Sequence, residues 1–145
     1  MVREQDPNKK FYGAVTVSDR GQIAIPVQAR RADDGATPRL RYHLAGRELD
    51  GVPGSPGLQG DGVLIARPED LALAPLATQA TLAPNALAGT VLRRQYLGFK
   101  TAYRVQLQDG PELRVEQHAG HASAAFQPGD AVQVLVPANS RVVGA

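Results

Sequence analysis

The chain has 145 residues, 43% hydrophobic and 21% charged, which suits one ordinary domain or two very small ones and excludes wholesale disorder. It has no cysteine, so disulfide scaffolds, thiol catalysis and Cys-type zinc sites are ruled out and a reducing cytoplasm is the default compartment. Net charge is only +2, and 15 Gly with 11 Pro favour turns and short strands over a helical bundle.

Residues 1–10 read as a solvated tail, polar from Met1 to Asp6 and lacking an apolar signal segment. Residues 1–31 hold six basic groups against three acidic, a mild excess that phosphates would attract. The first strand pattern covers Phe11 to Val17. Ser18-Asp19-Arg20-Gly21 is a turn, and Gln22 to Ile25 is a second short strand that Pro26 should end. Proline suits a first helical position, so Val27 to Ala32 is expected to form one or two helical turns. Residues 33–38 read as a loop. Leu40, Tyr42 and Leu44 then alternate with Arg41 and His43, the period of a half-buried strand.

Residues 50–62 are rich in Gly and Pro and read as a long exposed loop. Val63 to Ala66 is a buried strand, Arg67-Pro68-Glu69-Asp70 a tight turn, and Leu71 to Leu73 another short strand. Leu71 to Leu92 carries no formal charge, yet Pro75, Gln79, Pro84 and Asn85 make it strand, linker and strand rather than a bilayer helix.

Ala86 to Leu97 is a long strand that Gly89 should interrupt. Ala102 to Gln108 alternates well, Asp109-Gly110-Pro111 is a hairpin turn, and Leu113 and Val115 continue the apolar face. Residues 118–126 are loop-like. Ala131 to Val136 is expected to be buried on both faces, and Val142-Val143 adds a closing strand. The whole is an all-β pattern, with small OB-like barrels preferred because closure removes exposed edges. The expected division is a tail at 1–10, an N-terminal β unit at 11–74, a linker at 75–84 and an OB-like barrel at 85–145.

From Val63 onward the pieces Val63-Leu64-Ile65-Ala66-Arg67-Pro68-Glu69-Asp70-Leu71, Asn85-Ala86-Leu87-Ala88-Gly89-Thr90-Val91, Tyr96-Leu97-Gly98, Tyr103-Arg104-Val105-Gln106-Leu107, Leu113-Arg114-Val115 and Gly129-Asp130-Ala131-Val132 recur in order. The series resembles the transport-associated OB (TOBE) domain, the C-terminal regulatory region of ABC importer ATPases. The resemblance implies a regulatory or accessory β protein that senses a partner or a small anion. It also implies association with an ABC ATPase or permease. Regulatory or architectural roles would fall on Arg67, Glu69, Gly89, Tyr96, Gly98, Gly129 and Asp130. No G-x-x-x-x-G-K-[ST] phosphate loop occurs, so the chain looks like the appendage without the motor, either a stand-alone accessory or a piece of a larger ATPase.

A second resemblance lies at Phe11 to Pro26 followed by Ala29-Arg30-Arg31. This stretch is similar to the AbrB/MazE/SpoVT family, whose swapped-hairpin dimers bind DNA. Carried over by position, Arg20, Arg30 and Arg31, with Lys9 and Lys10 nearby, would face the DNA of a homodimeric regulator. The rival reading is a plain hairpin and turn of an all-β domain.

Other constellations are weaker. His118 and His121 lack the converging donors a metal needs, so a solvated loop is expected. Tyr96, Phe99 and Tyr103 form either a stacking platform or ordinary barrel packing. No nucleophile elbow is present. The expectation is a non-enzymatic protein without cofactor or metal.

Overall fold

The computed structural model describes residues 16–17, 21–33, 35, 37–55, 57–78, 81–118 and 125–144. Among these, eleven strands follow one another: β1 (Thr16–Val17), β2 (Ile23–Arg31), β3 (Leu40–Leu44), β4 (Arg47–Pro53), β5 (Gly60–Ala66), β6 (Ala72–Pro75), β7 (Ala86–Tyr96), β8 (Lys100–Leu107), β9 (Glu112–His118), β10 (Ala131–Leu135) and β11 (Arg141–Gly144). A 3-10 turn, Pro68–Asp70, separates β5 from β6.

The first sheet runs β1-β2-β3-β4-β11-β5, and β2 also pairs with β5, which closes strands β2, β3, β4, β11 and β5 into an OB-like barrel. Its β4–β11 pair is parallel. The second sheet, β6-β10-β7-β8-β9, is antiparallel throughout and curls so that Gln117 Nε2 on β9 donates to the Leu73 carbonyl on β6 at 3.5 Å. Period-2 alternation explains the cores. Leu40, Tyr42 and Leu44 point inward from β3, as do Ile23, Ile25, Val27 and Ala29 from β2. Val105, Leu107, Leu113, Val115, Val132 and Val134 fill the second sheet's concave side, and residues of both sheets form one hydrophobic cluster. Each buried Leu or Ile is worth about 1.5–3 kcal/mol over its exposed state.

The chain crosses between the sheets twice. After β5 it passes through residues 67–71 into β6, which pairs with β10 in the second sheet. After β10 it returns through residues 136–140 into β11, which inserts between β4 and β5 of the first barrel. The second sheet is thus one unbroken run, β6 to β10, while the first receives β11 from beyond its own run. Hydrogen bonding therefore assigns 72–75 to the second sheet and 141–144 to the first.

Three local expectations are corrected. Residues 27–31 are strand, not helix: Pro26 sits inside β2 and pairs with Val63 of β5, and among the described residues β1 pairs only as far as Ala24 while β3 begins at Gln28. The loop expected over 50–62 shrinks to 54–59, because β4 runs to Pro53 and β5 starts at Gly60. Gly89 does not interrupt β7. It pairs with both Val132 and Leu107, and a Cβ there would lie 2.7 Å from Val105 Cγ1. The irregularity falls between Val91 and Arg93 instead.

Candidate functional site

A cleft of about 420 Å³ opens at one end of the first barrel, where both crossovers meet. Gln22 leads into β2, Ile65 and Ala66 end β5, Arg67 and Asp70 belong to the outgoing crossover, and Pro137 to Arg141 form the returning one.

The local sequence fixes both walls. Arg67 precedes a proline and takes extended backbone (φ −107°, ψ 144°), as that position demands. Buried Pro68 anchors the turn, and the Asp70 amide donates to the Arg67 carbonyl at 2.9 Å. Opposite, the Ser140 amide and its Oγ both donate to the Pro137 carbonyl, at 3.1 and 2.8 Å. Ser140 in turn offers its carbonyl to the Val52 amide at 2.9 Å, which ties this wall to β4.

The electrostatics of the cleft are one-sided. Two guanidiniums, Arg67 and Arg141, face one carboxylate, Asp70. Among the described residues, the side chains of Arg67, Arg141 and Asn139 make no hydrogen bond or ion pair. Each guanidinium brings five N–H donors in a planar fork, and the Asn139 amide brings two more. Unspent donors converging with excess positive charge suit a small oxyanion, whose oxygens accept forked hydrogen bonds.

Of the residues singled out in the sequence, Arg67 lies in this cleft. Glu69 faces away, into a separate hollow of about 110 Å³ beside Phe99, Lys100 and Glu116. Gly98, at φ +91°, makes the β7–β8 turn. Tyr96 ends β7 exposed, while Tyr103 is buried with its ring edge-on to Phe126 at 6.0 Å, so the three aromatics do not share a platform. Gly129 and Asp130 stitch the loop before β10 to β7: the Gly129 amide donates to the Val91 carbonyl at 2.7 Å and the Val91 amide to the Asp130 carbonyl at 3.0 Å.

The basic groups proposed to face DNA fare differently. Lys9, Lys10 and Arg20 lie outside the described residues. Arg30 pairs with Glu48 at 2.8 Å and Arg31 with Asp33 at 2.6 Å. Hydrogen bonding from Arg30 holds the Glu48 carboxyl below its ordinary range, and that from Arg31 does the same for Asp33. The helix that would accompany such a hairpin is strand β2. His118 ends β9, exposed, and His121 lies outside the described residues.

Sequence reasoning missed Gln22, Asn139, Ser140 and Arg141. A usable signal was present. Pro137-Ala138-Asn139-Ser140-Arg141 follows the buried strand β10 much as Arg67-Pro68-Glu69-Asp70 follows β5, and both are polar, proline-bearing links into a short apolar strand.

A family model described as the TOBE domain matches residues 64–143. A search of curated proteins finds no match. Among solved structures, the chain is similar to ModG, described as a cytoplasmic molybdate-binding protein and solved with molybdate bound. The TM-score is 0.65 at 17% identity, covering 82% of this chain and 92% of that one.

Proposed function

Because the chain belongs to the TOBE-domain family, we propose that it is a non-catalytic binding protein whose ligand is a small tetrahedral oxyanion of the molybdate class. The observation that carries this is the convergence of Arg67, Arg141 and Asn139, all with unspent donors, on one cleft. The two crossovers that bring them together also join the two sheets, so an anion held there bridges both crossing segments and reports on their relative position. ModG's bound molybdate and its shared fold support the ligand class.

Isothermal titration with sodium molybdate tests the reading. Binding to the intact chain should weaken about tenfold on Arg67→Gln and again on Arg141→Gln, each change removing a charge-assisted contact. Absence of binding, or affinity in both variants equal to that of the parent chain, would contradict it.

Family membership supports a finer proposal, that the protein works inside the cell with the ATPase or permease of an ABC importer. A tagged copy should then recover such a component from a lysate, more strongly with molybdate present. The DNA-binding reading has no supporting observation, since the described basic groups of β2 are matched by acids.

A further inference from the structure

On the outer face of the second sheet, three arginines stand in one row across three strands. Arg93 on β7 is the direct partner of Arg104 on β8, and Arg104 is the direct partner of Arg114 on β9. Strands lie roughly 4.8 Å apart, so the row spans about 10 Å. Like charges placed directly opposite are destabilising, and a plain sheet would avoid them.

The row depends on a bulge. Val91 pairs with Val105, and unshifted pairing would set Leu92 opposite Arg104. One extra residue moves the register so that Arg93 takes that place. Bulges re-aim side chains in this way. The Val91 backbone is held on its other side by Gly129 and Asp130, which fixes the distorted segment.

The row also has a floor. Ala102 is only 4% exposed, and Arg93, Gln95, Arg104 and Arg114 rise around it to line a hollow of about 60 Å³. The acids nearby leave it positive. Glu112 stands 3.7 Å from Arg104, and Glu116 2.7 Å from Arg114 while also engaging Lys100. Arg93 makes no ion pair with any described residue. Three guanidiniums around a small-residue floor, open to solvent, match a dianionic tetrahedral group.

We propose that Arg93, Arg104 and Arg114 form a second anion site, over Ala102, that takes a phosphoryl-type oxyanion. It is separate from the cleft of Arg67 and Arg141, shares no residue with it, and stands or falls independently of molybdate binding there.

Phosphate is titrated into ¹⁵N-labelled protein at constant ionic strength, following the Ala102 amide and the arginine Nε–H signals. Saturable shifts should centre on Ala102. Affinity should fall about tenfold in Arg93→Gln, further in Arg93→Gln with Arg104→Gln, and not at all in Arg67→Gln with Arg141→Gln. Shifts that fail to saturate, or that persist unchanged in Arg93→Gln, overturn the site. Phosphoserine, titrated in parallel, separates the sources: tighter binding than phosphate assigns the site to an esterified phosphoryl group, equal or weaker binding to the free ion. Melting without phosphate is the control for a purely structural role. Arg104→Gln should melt at or above the parent temperature because it removes repulsion, and a clearly lower value overturns the proposal.

Discussion

The side-chain amide of Asn85 closes a reciprocal pair with the backbone of Asp50: its Oδ1 accepts from the Asp50 amide at 2.6 Å and its Nδ2 donates to the Asp50 carbonyl at 3.3 Å. The same Nδ2 donates to the Val136 carbonyl at 2.8 Å, while the Val136 amide donates to the Asn85 carbonyl at 3.0 Å. Asn85 thereby joins β4 of the barrel to the start of β7 and the end of β10, with Arg47 adding a bond to the Ala86 carbonyl at 2.9 Å.

Asn85 also holds φ +60°, a conformation that asparagine tolerates better than most residues. Asn85→Ala loses the three side-chain bonds and adds backbone strain, and should destabilise by about 2–4 kcal/mol. Asn85→Gly removes the strain alone and should recover part of the loss. Urea melts of both variants check the order.

Gly89 and Gly98 separate two reasons for glycine. A Cβ on Gly89 would meet Val105 Cγ1 at 2.7 Å and the Gln106 carbonyl oxygen at 2.9 Å. Gly89→Ala should cost about 2–3 kcal/mol through overpacking. Gly98 has open space but φ +91°, so Gly98→Ala should cost only about 1 kcal/mol of backbone strain. Equal costs in denaturant melts would refute this assignment.

Tyr42 is fully buried, and its hydroxyl has no hydrogen-bond partner among the described residues. Burial, reinforced by the Asp50 charge, pushes its ionisation above the ordinary phenol range. Removing an unpaired buried hydroxyl relieves a desolvation cost, so Tyr42→Phe should be neutral or stabilising by about 1 kcal/mol. A loss greater than 1 kcal/mol in thermal or urea unfolding would reveal a partner for the hydroxyl.

Glu116 gives the fold an acid-sensitive point. Burial pushes its carboxyl up, but hydrogen bonds from Lys100 and Arg114, both at 2.7 Å, leave it below the ordinary value. A depressed carboxyl stabilises the fold above its unfolded pKa of about 4.3, and that contribution fades as pH falls through the folded value. Glu116→Gln should therefore flatten the acid limb of the stability-versus-pH curve while lowering stability at pH 7. An unchanged acid limb would place the sensitivity elsewhere.

Much of this architecture is written locally. The alternation of Leu40, Tyr42 and Leu44 and of Tyr103, Val105 and Leu107 states which faces are buried, and Gly98 and Asp109-Gly110 mark hairpins where the chain turns. What escapes local reading is pairing over distance. Nothing in Val142-Val143 says that it lies beside Leu64 and Val63, some eighty residues earlier. Pro26 is a helix-starting signal by propensity, and its pairing with Val63 of β5, thirty-seven residues later, is what carries it into a strand. The cleft follows the same rule. Arg67 was legible inside its motif, whereas Arg141 joins it only because β11 crosses back to pair with β5.

The most direct test of the central claim is a crystal grown with tungstate, whose anomalous signal locates the ion without reference to any assay. A peak in the cleft within hydrogen-bonding distance of Arg67 and Arg141 is the predicted result. A fully occupied crystal with no peak between those two side chains would contradict it.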